Sequence, residues 1–224
     1  TPEEIDFFEV EGIRYYSNVM GTFTSSLRKA IEKANALEIK TIAPGHGPVY
    51  RKNPQKIIAD YSRFSRYAEG AGKNEVTILW GSMYGMTAQA VAHVEGILQR
   101  EGVKYNKLEM PLESDSEMIA TVFKSAGIII AAPTYEYKLF PPVAAALNEL
   151  GRKKITGKLA FRFGSYGWSG GAERELKDIM ERNNMKWDFL ESVEFEGTPK
   201  EEDLGKVEAG VLALIEKMKE KVVE

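Results

Sequence analysis

From residue 74 onward the chain alternates between short, densely apolar runs and longer stretches whose apolar positions recur every three or four residues. The short runs fall at 76–80, 104–110, 127–132, 158–163 and 186–194, and their β-branched and aliphatic content reads as strands buried in a parallel sheet. Between them the spacing predicts helices over 87–101, 115–125, 141–151 and 171–184. A last helix over 200–222 carries Leu204, Val207, Val211, Ile215, Met218 and Val222 on one face, the stripe expected of a helix packed on a sheet. Alternation of this kind specifies an α/β fold, a doubly wound five-stranded parallel sheet with helices on both faces.

Residues 1–72 are patterned differently. Apolar runs lie around Phe7-Phe8, over 13–20 and at Thr41-Ile42-Ala43. The stretch 25–37 has helical spacing, with Leu27, Ile31 and Ala34 on one face, and a second helix is predicted over 54–67 with Pro54 in its first turn. So few elements do not readily close a core alone, and the segment reads as part of something larger. Glu69-Gly70-Ala71-Gly72-Lys73-Asn74 is small and polar, a candidate linker that divides the chain into 1–72 and 73–224.

Composition narrows the chemistry. With 43% hydrophobic and 28% charged residues the balance is that of a globular protein, and a net charge of −3 provides no basic field for nucleic acid or an anionic membrane. The longest compact apolar run, 128–133, is far too short to span a bilayer, and the Thr1-Pro2-Glu3-Glu4 start is no signal peptide, so a cytoplasmic location is expected. Cysteine is absent, which removes thiol nucleophiles, disulfides and cysteine-held metal centres. The two histidines, His46 and His93, are little material for a catalytic triad or a multi-histidine metal site. Redox chemistry here has to be carried by a bound cofactor.

The turn Gly81-Ser82-Met83-Tyr84-Gly85-Met86-Thr87 joins the first strand of the sheet to a helix, so backbone N–H groups converge at the positive helix end, an arrangement suited to phosphate. It lacks both the G-x-G-x-x-G and the G-K-[ST] patterns and contains no Lys or Arg. It reads as a neutral cradle for one phosphomonoester, made of main-chain N–H groups with the hydroxyls of Ser82 and Thr87. The plainer alternative is a strand-to-helix turn with Thr87 as N-cap. Ligands of such sheets bind outside the carboxyl ends of the strands. Two further loops therefore belong with the first: Pro133-Thr134-Tyr135-Glu136-Tyr137-Lys138-Leu139-Phe140-Pro141, and Gly164-Ser165-Tyr166-Gly167-Trp168-Ser169-Gly170-Gly171. Their Tyr135, Tyr137, Tyr166 and Trp168 suit a planar heteroaromatic ring tethered to that phosphate, which describes flavin mononucleotide (FMN). The candidate cofactor-binding set is Ser82, Met83, Tyr84, Gly85, Met86 and Thr87; Pro133, Thr134, Tyr135, Glu136 and Tyr137; and Ser165, Tyr166, Gly167, Trp168, Ser169 and Gly170. A phospho-acceptor receiver domain shares the fold shape but needs acidic strand ends, where this chain has Trp80-Gly81 and Ala132-Pro133.

Residues 74–224 resemble a flavodoxin-like domain. Ser82-Met83-Tyr84-Gly85-Met86-Thr87, Ala132-Pro133-Thr134-Tyr135 and Gly164-Ser165-Tyr166-Gly167-Trp168-Ser169-Gly170-Gly171 are most similar to the flavodiiron proteins, or A-type flavoproteins. Tyr15-Tyr16-Ser17-Asn18-Val19-Met20 and Ile42-Ala43-Pro44-Gly45-His46-Gly47-Pro48-Val49-Tyr50-Arg51 resemble the end of the metallo-β-lactamase-like domain that precedes the flavodoxin domain in that family. The resemblance implies a flavodoxin-like FMN-binding domain over 73–224 preceded by an incomplete metallo-β-lactamase-like αβ segment over 1–72. It implies an oxidoreductase in which electrons pass from an outside donor, a redox protein such as rubredoxin or a reduced deazaflavin, through FMN to a di-iron site that reduces O2 to water, NO to N2O, or both. It further implies a head-to-tail homodimer, and it matches His46 to the last histidine ligand of the iron site. The family's other ligands, a His-x-Glu-x-Asp-His motif, a further His and a bridging carboxylate, are not in this sequence, so an upstream metallo-β-lactamase-like half has to supply them. No residue is assigned as catalytic. Met86 stands where many members carry a polar residue, and without cysteine no rubredoxin module is part of this sequence. The alternative is a flavodoxin-like electron carrier without di-iron chemistry of its own; a quinone or nicotinamide reductase on the same fold is a weaker third reading.

Overall fold

The computed structural model describes residues 2–223, with side chains from Phe7 onward. Helix α1 (Pro2–Tyr15) continues through a π turn (Tyr16–Met20) and a 3-10 turn (Gly21–Phe23) into α2 (Thr24–Asn35), and α3 (Pro54–Tyr67) follows an extended stretch. The bounds of α3 follow from its start: Asn53 accepts the Lys56 N–H at 3.3 Å and Pro54 occupies the first helical position. Thereafter come β1 (Lys73–Trp80), α4 (Met86–Arg100), β2 (Lys104–Glu109), α5 (Asp115–Lys124) and β3 (Ser125–Ala131). A small hairpin, β4 (Thr134–Tyr135) and β5 (Lys138–Leu139), precedes α6 (Pro141–Arg152), β6 (Leu159–Tyr166), α7 (Ala172–Arg182), β7 (Asp188–Phe189), β8 (Val193–Glu196) and α8 (Glu201–Met218).

The sheet runs β2-β1-β3-β6, with β7 and β8 both pairing β6, and all these pairings are parallel. Counting β7 and β8 as one interrupted strand gives the 2-1-3-4-5 order of the doubly wound class. The runs look continuously apolar in sequence because both faces are covered, yet they still alternate. Val76, Ile78, Ile129, Phe161 and Phe163 pack under α4 and α8, while Leu79, Ile128, Ile130 and Ala160 pack under α5, α6 and α7. The expected single strand over 186–194 is broken: β7 pairs Leu159 and Ala160, pairing lapses, and β8 resumes opposite Phe163 to Tyr166.

Residues 2–35 and 54–67 are helical, and the irregular stretch between them carries an isolated bridge between Ile42 and Tyr50. Tyr16 and Tyr67 pack against Phe123 of α5, Phe64 packs against both tyrosines, and all three join the core under that face of the sheet. The 69–74 segment is a packed joint rather than a loose tether. The Gly72 N–H donates to Lys221 O at 3.0 Å, Val223 N–H donates to Gly72 O at 2.9 Å, and the buried Lys158 Nζ donates to Ala71 O at 2.8 Å.

Candidate functional site

The loops leaving β1, β3 and β6 lie at the carboxyl edge of the sheet, and three contacts lock them together. Between the first and the third, Thr87 is fully buried with its hydroxyl 3.0 Å from Ser165 Oγ, and it accepts the Ser165 N–H at 3.4 Å. Between the first and the second, Gly81 leaves room for Phe140, whose Cε1 lies 2.7 Å from where a β-carbon would stand. Between the second and the third, Gly171 (φ +148°) lies under Tyr137, a β-carbon there falling 2.1 Å from Tyr137 O, and Ala172 N–H donates to Thr134 Oγ1 at 3.4 Å.

In the first loop the chain turns at Gly85 (φ 84°), which is the N-cap of α4 and offers no side-chain cap. Thr87 is therefore not the N-cap; it sits inside the first turn, and its hydroxyl is committed to Ser165. Ser82 Oγ accepts the Gly85 N–H at 3.1 Å. Both hydroxyls expected to face a phosphate also hold the loops in place, Ser82 within the turn as an acceptor whose own O–H stays available to donate, and Thr87 against the third loop. What the turn leaves open is its backbone: the N–H groups of Ser82, Met83 and Tyr84 have no partner among the described residues. Those of Met86, Thr87 and Ala88 are the donors that any helix start leaves free. Free N–H groups at a helix start suit an anion, and the turn carries no charged side chain.

In the second loop, β4 and β5 are joined by Glu136 (φ 46°) and Tyr137 (φ 63°), a two-residue turn with both central residues left-handed and neither glycine nor asparagine. Backbone strain of this kind concentrates at binding sites. The hairpin is anchored by Leu139 N–H donating to Glu175 Oε2 at 2.6 Å, while Pro133 is buried and Thr134 half-buried beneath it. In the third loop Ser165 is buried, Tyr166 and Gly170 are half-buried, and Gly167 and Ser169 are exposed. Trp168 is 100% exposed and Tyr84 83% exposed, and with Tyr135 and Tyr137 they bring bare aromatic rings from all three loops to one edge. Met83 and Met86 are half-buried between them. Unpaired N–H groups beside aromatic faces suit an anionic group tethered to a planar ring.

His46 lies elsewhere, exposed on the 44–48 turn with its ring 5.7 Å from that of Tyr15. Both line an open apolar groove of about 740 Å³ walled by α1, α2, α3 and the 42–50 stretch, including Phe7, Phe8, Leu27 and Tyr61. Among the described residues no group of three or more His, Cys, Asp or Glu is arranged to hold a metal ion. These residues therefore do not fit a metal centre unaided. His93 of α4 faces Glu208 of α8, with Nε2 3.7 Å from Oε2.

Two features of the loop cluster escaped the sequence reading. One is Phe140 as the lid over Gly81. The other is the fully buried Arg162, paired with Glu194 beneath the second and third loops. An arginine between Phe161 and Phe163 in an otherwise apolar strand was the available signal.

No protein-family model matches the chain. A curated nitric oxide reductase of Moorella thermoacetica is 29% identical over 199 residues, 87% of this chain and 48% of that protein. Among solved structures, the flavodiiron protein from Giardia intestinalis superposes with a TM-score of 0.82 at 26% identity, over 97% of this chain and 54% of its own. The rubredoxin oxygen:oxidoreductase of the anaerobe Desulfovibrio gigas shares the fold, with a TM-score of 0.85 at 21% identity over 97% of this chain and 54% of its own. The likeness therefore takes in the helical segment as well as the sheet, and the chain spans about half the length of these relatives.

Proposed function

We propose that this chain, which belongs to the flavodiiron protein family, is the FMN-binding, electron-transferring portion of an enzyme that reduces O2 to water, NO to N2O, or both. The observation that carries the proposal is the lock of three loops around unpaired N–H groups and bare aromatic rings at the carboxyl edge of the sheet. In this reading the N–H groups of Ser82, Met83, Tyr84, Met86 and Thr87 hold the phosphate. Tyr135, Tyr137, Tyr166 and Trp168 flank the ring, and the backbone of 134–137 and 165–170 meets its heteroatoms. When bound, FMN supplies the ability to accept and pass on electrons; the chain binds it, orients it and sets its surroundings. The donor is an outside redox protein such as rubredoxin, or a reduced deazaflavin. The acceptor is a di-iron site to which this chain contributes His46 and an upstream metallo-β-lactamase-like half contributes the rest, in a cytoplasmic head-to-tail homodimer. No helix among the described residues is long and apolar enough to cross a membrane.

Titration of the apoprotein with FMN and with riboflavin tests this reading. FMN is expected to bind at one per chain with its fluorescence altered, and riboflavin more weakly because it lacks the phosphate. No binding of FMN, or equal binding of both, would overturn the assignment of loop one. One observation favours a second reading, an electron carrier resembling flavodoxin: the described residues hold no metal cluster of their own. Metal analysis with gel filtration separates the two, since a monomer with one FMN and no iron in cells that also make the upstream half favours the carrier.

A further inference from the structure

Arg162 is the one charged residue in strand β6, flanked by Phe161 and Phe163, and its side chain is 0% exposed. Side chains of a strand alternate faces, so Arg162 shares a face with position 164, and the parallel register sets Gly164 beside Glu194 of β8. A β-carbon on Gly164 would fall 1.8 Å from Ala132 O and 3.4 Å from Arg162 Nη2, and the guanidinium meets the Glu194 carboxylate, Nη1 to Oε1 at 2.7 Å. Arg162 Nη2 also reaches Ala132 O, the residue before loop two, at 3.4 Å. The second Glu194 oxygen lies 2.8 Å from where a β-carbon on Gly170 would stand, against the far end of loop three. Arg162 Nε has no partner among the described residues. Apolar replacements of such buried pairs are often neutral or stabilising, so stability alone is a poor account of this one.

We propose that Arg162 and Glu194 are positioning residues of the flavin site that also bias its potential, an inference that rests on FMN occupying loops one to three. The pair ties the root of loop two to the end of loop three. The guanidinium meets the root of loop two and the carboxylate the end of loop three, but Arg162 is wholly buried and Glu194 26% exposed, so solvent weakens the field of the anion more than that of the cation. A flavin that takes up two electrons from its donor and one proton from water gains one negative charge, and a fixed cation beneath the loops favours that form.

The test uses the whole chain loaded with FMN, its midpoint potential read against a redox dye during dithionite reduction, and FMN affinity read by fluorescence. Glu194→Gln uncovers the cation and is expected to move the potential positive. Arg162→Met removes the cation, moves the potential negative and weakens FMN binding about tenfold; Arg162→Lys restores the potential in part. If Arg162→Met does not fold, the sign of the Glu194→Gln shift decides. Potentials that stay put, or move the same way in both variants while FMN still binds one per chain, would leave the pair purely structural and overturn the inference. A wild-type chain that takes up no FMN would instead overturn the flavin reading, and this inference with it.

Discussion

Lys158 donates from Nζ to Phe123 O at 2.6 Å, Ala71 O at 2.8 Å and Ser125 O at 3.1 Å, so one ammonium ties the 69–74 joint to the junction of α5 and β3. Burial, with a smaller push from Lys221, lowers its pKa from 10.5 to about 7, and Glu75 opposes the shift. Below about pH 7 both folded and unfolded chains carry this proton. Between about 7 and 10.5 only the unfolded chain does, so stability is expected to rise with pH across that window. The slope from this one group is at most about 1.4 kcal/mol per pH unit. Urea melts over that range check the sign, and Lys158→Met should abolish this contribution. At pH 7 or below it should also lower stability by about 3 kcal/mol, since the ammonium's three carbonyl acceptors, two of them buried, lose their donor. A slope that survives in Lys158→Met would belong to another group. The same scale governs Thr87, whose buried hydroxyl joins loops one and three through the Ser165 hydroxyl and N–H. Thr87→Ala is expected to weaken FMN binding by about 1 kcal/mol, roughly fivefold, with Thr87→Ser recovering most of it. Equal affinities of wild type and Thr87→Ala in a fluorescence titration would show that the loops hold without this bond.

The hairpin of loop two sets stability against binding. Tyr137 holds a left-handed conformation at φ 63° while its ring is 66% exposed, so Tyr137→Gly removes strain and loses little buried surface. The variant is expected to gain about 1 kcal/mol in a urea melt and, having lost an aromatic face, to bind FMN more weakly. Weaker binding without added stability would mean that the turn is not strained. This hairpin was invisible in the sequence because Glu136-Tyr137 carries none of the Asn-Gly chemistry that announces such turns. The strands and helices of 73–224 were legible because burial on both faces writes itself as dense apolar runs separated by helical periodicity. The bounds of α3 were legible because Asn53 and Pro54 start it. Helix α1 was not, since its apolar residues point two ways, Ile13 into the core and Phe7, Phe8 and Val10 outward, which erases a single stripe. The three loops could be grouped from the strand order alone. Their locking contacts could not: Thr87 and Ser165 are 78 residues apart, and only the folded sheet brings them together.

At the scale of the whole molecule, the helical segment shares the core under one face of the sheet. The sheet is closed on both faces, whereas the helical segment is closed on one flank, where Tyr16 and Tyr67 meet Phe123, and open on the other. On that open flank the groove of about 740 Å³ is lined by side chains that a folded domain would bury, with Phe7 60% and Phe8 48% exposed. An uncovered apolar surface of this extent marks a binding face, and His46 stands at its edge with too few neighbours to hold a metal. A polypeptide completing the metallo-β-lactamase-like domain would satisfy both deficits at once, covering the groove and bringing ligands to His46. The chain alone is therefore expected to bind one FMN, to light up a hydrophobic dye such as ANS, and to retain no stoichiometric iron after reconstitution. Adding the preceding half of a relative's domain should quench the dye and allow iron uptake that His46→Ala prevents, while FMN binding stays constant. Stoichiometric iron in the chain alone, lost in His46→Ala, would mean that the ligands come from within these residues. Dye fluorescence unmoved by the added half, with iron still absent, would mean that the groove serves some other partner and that the carrier reading gains.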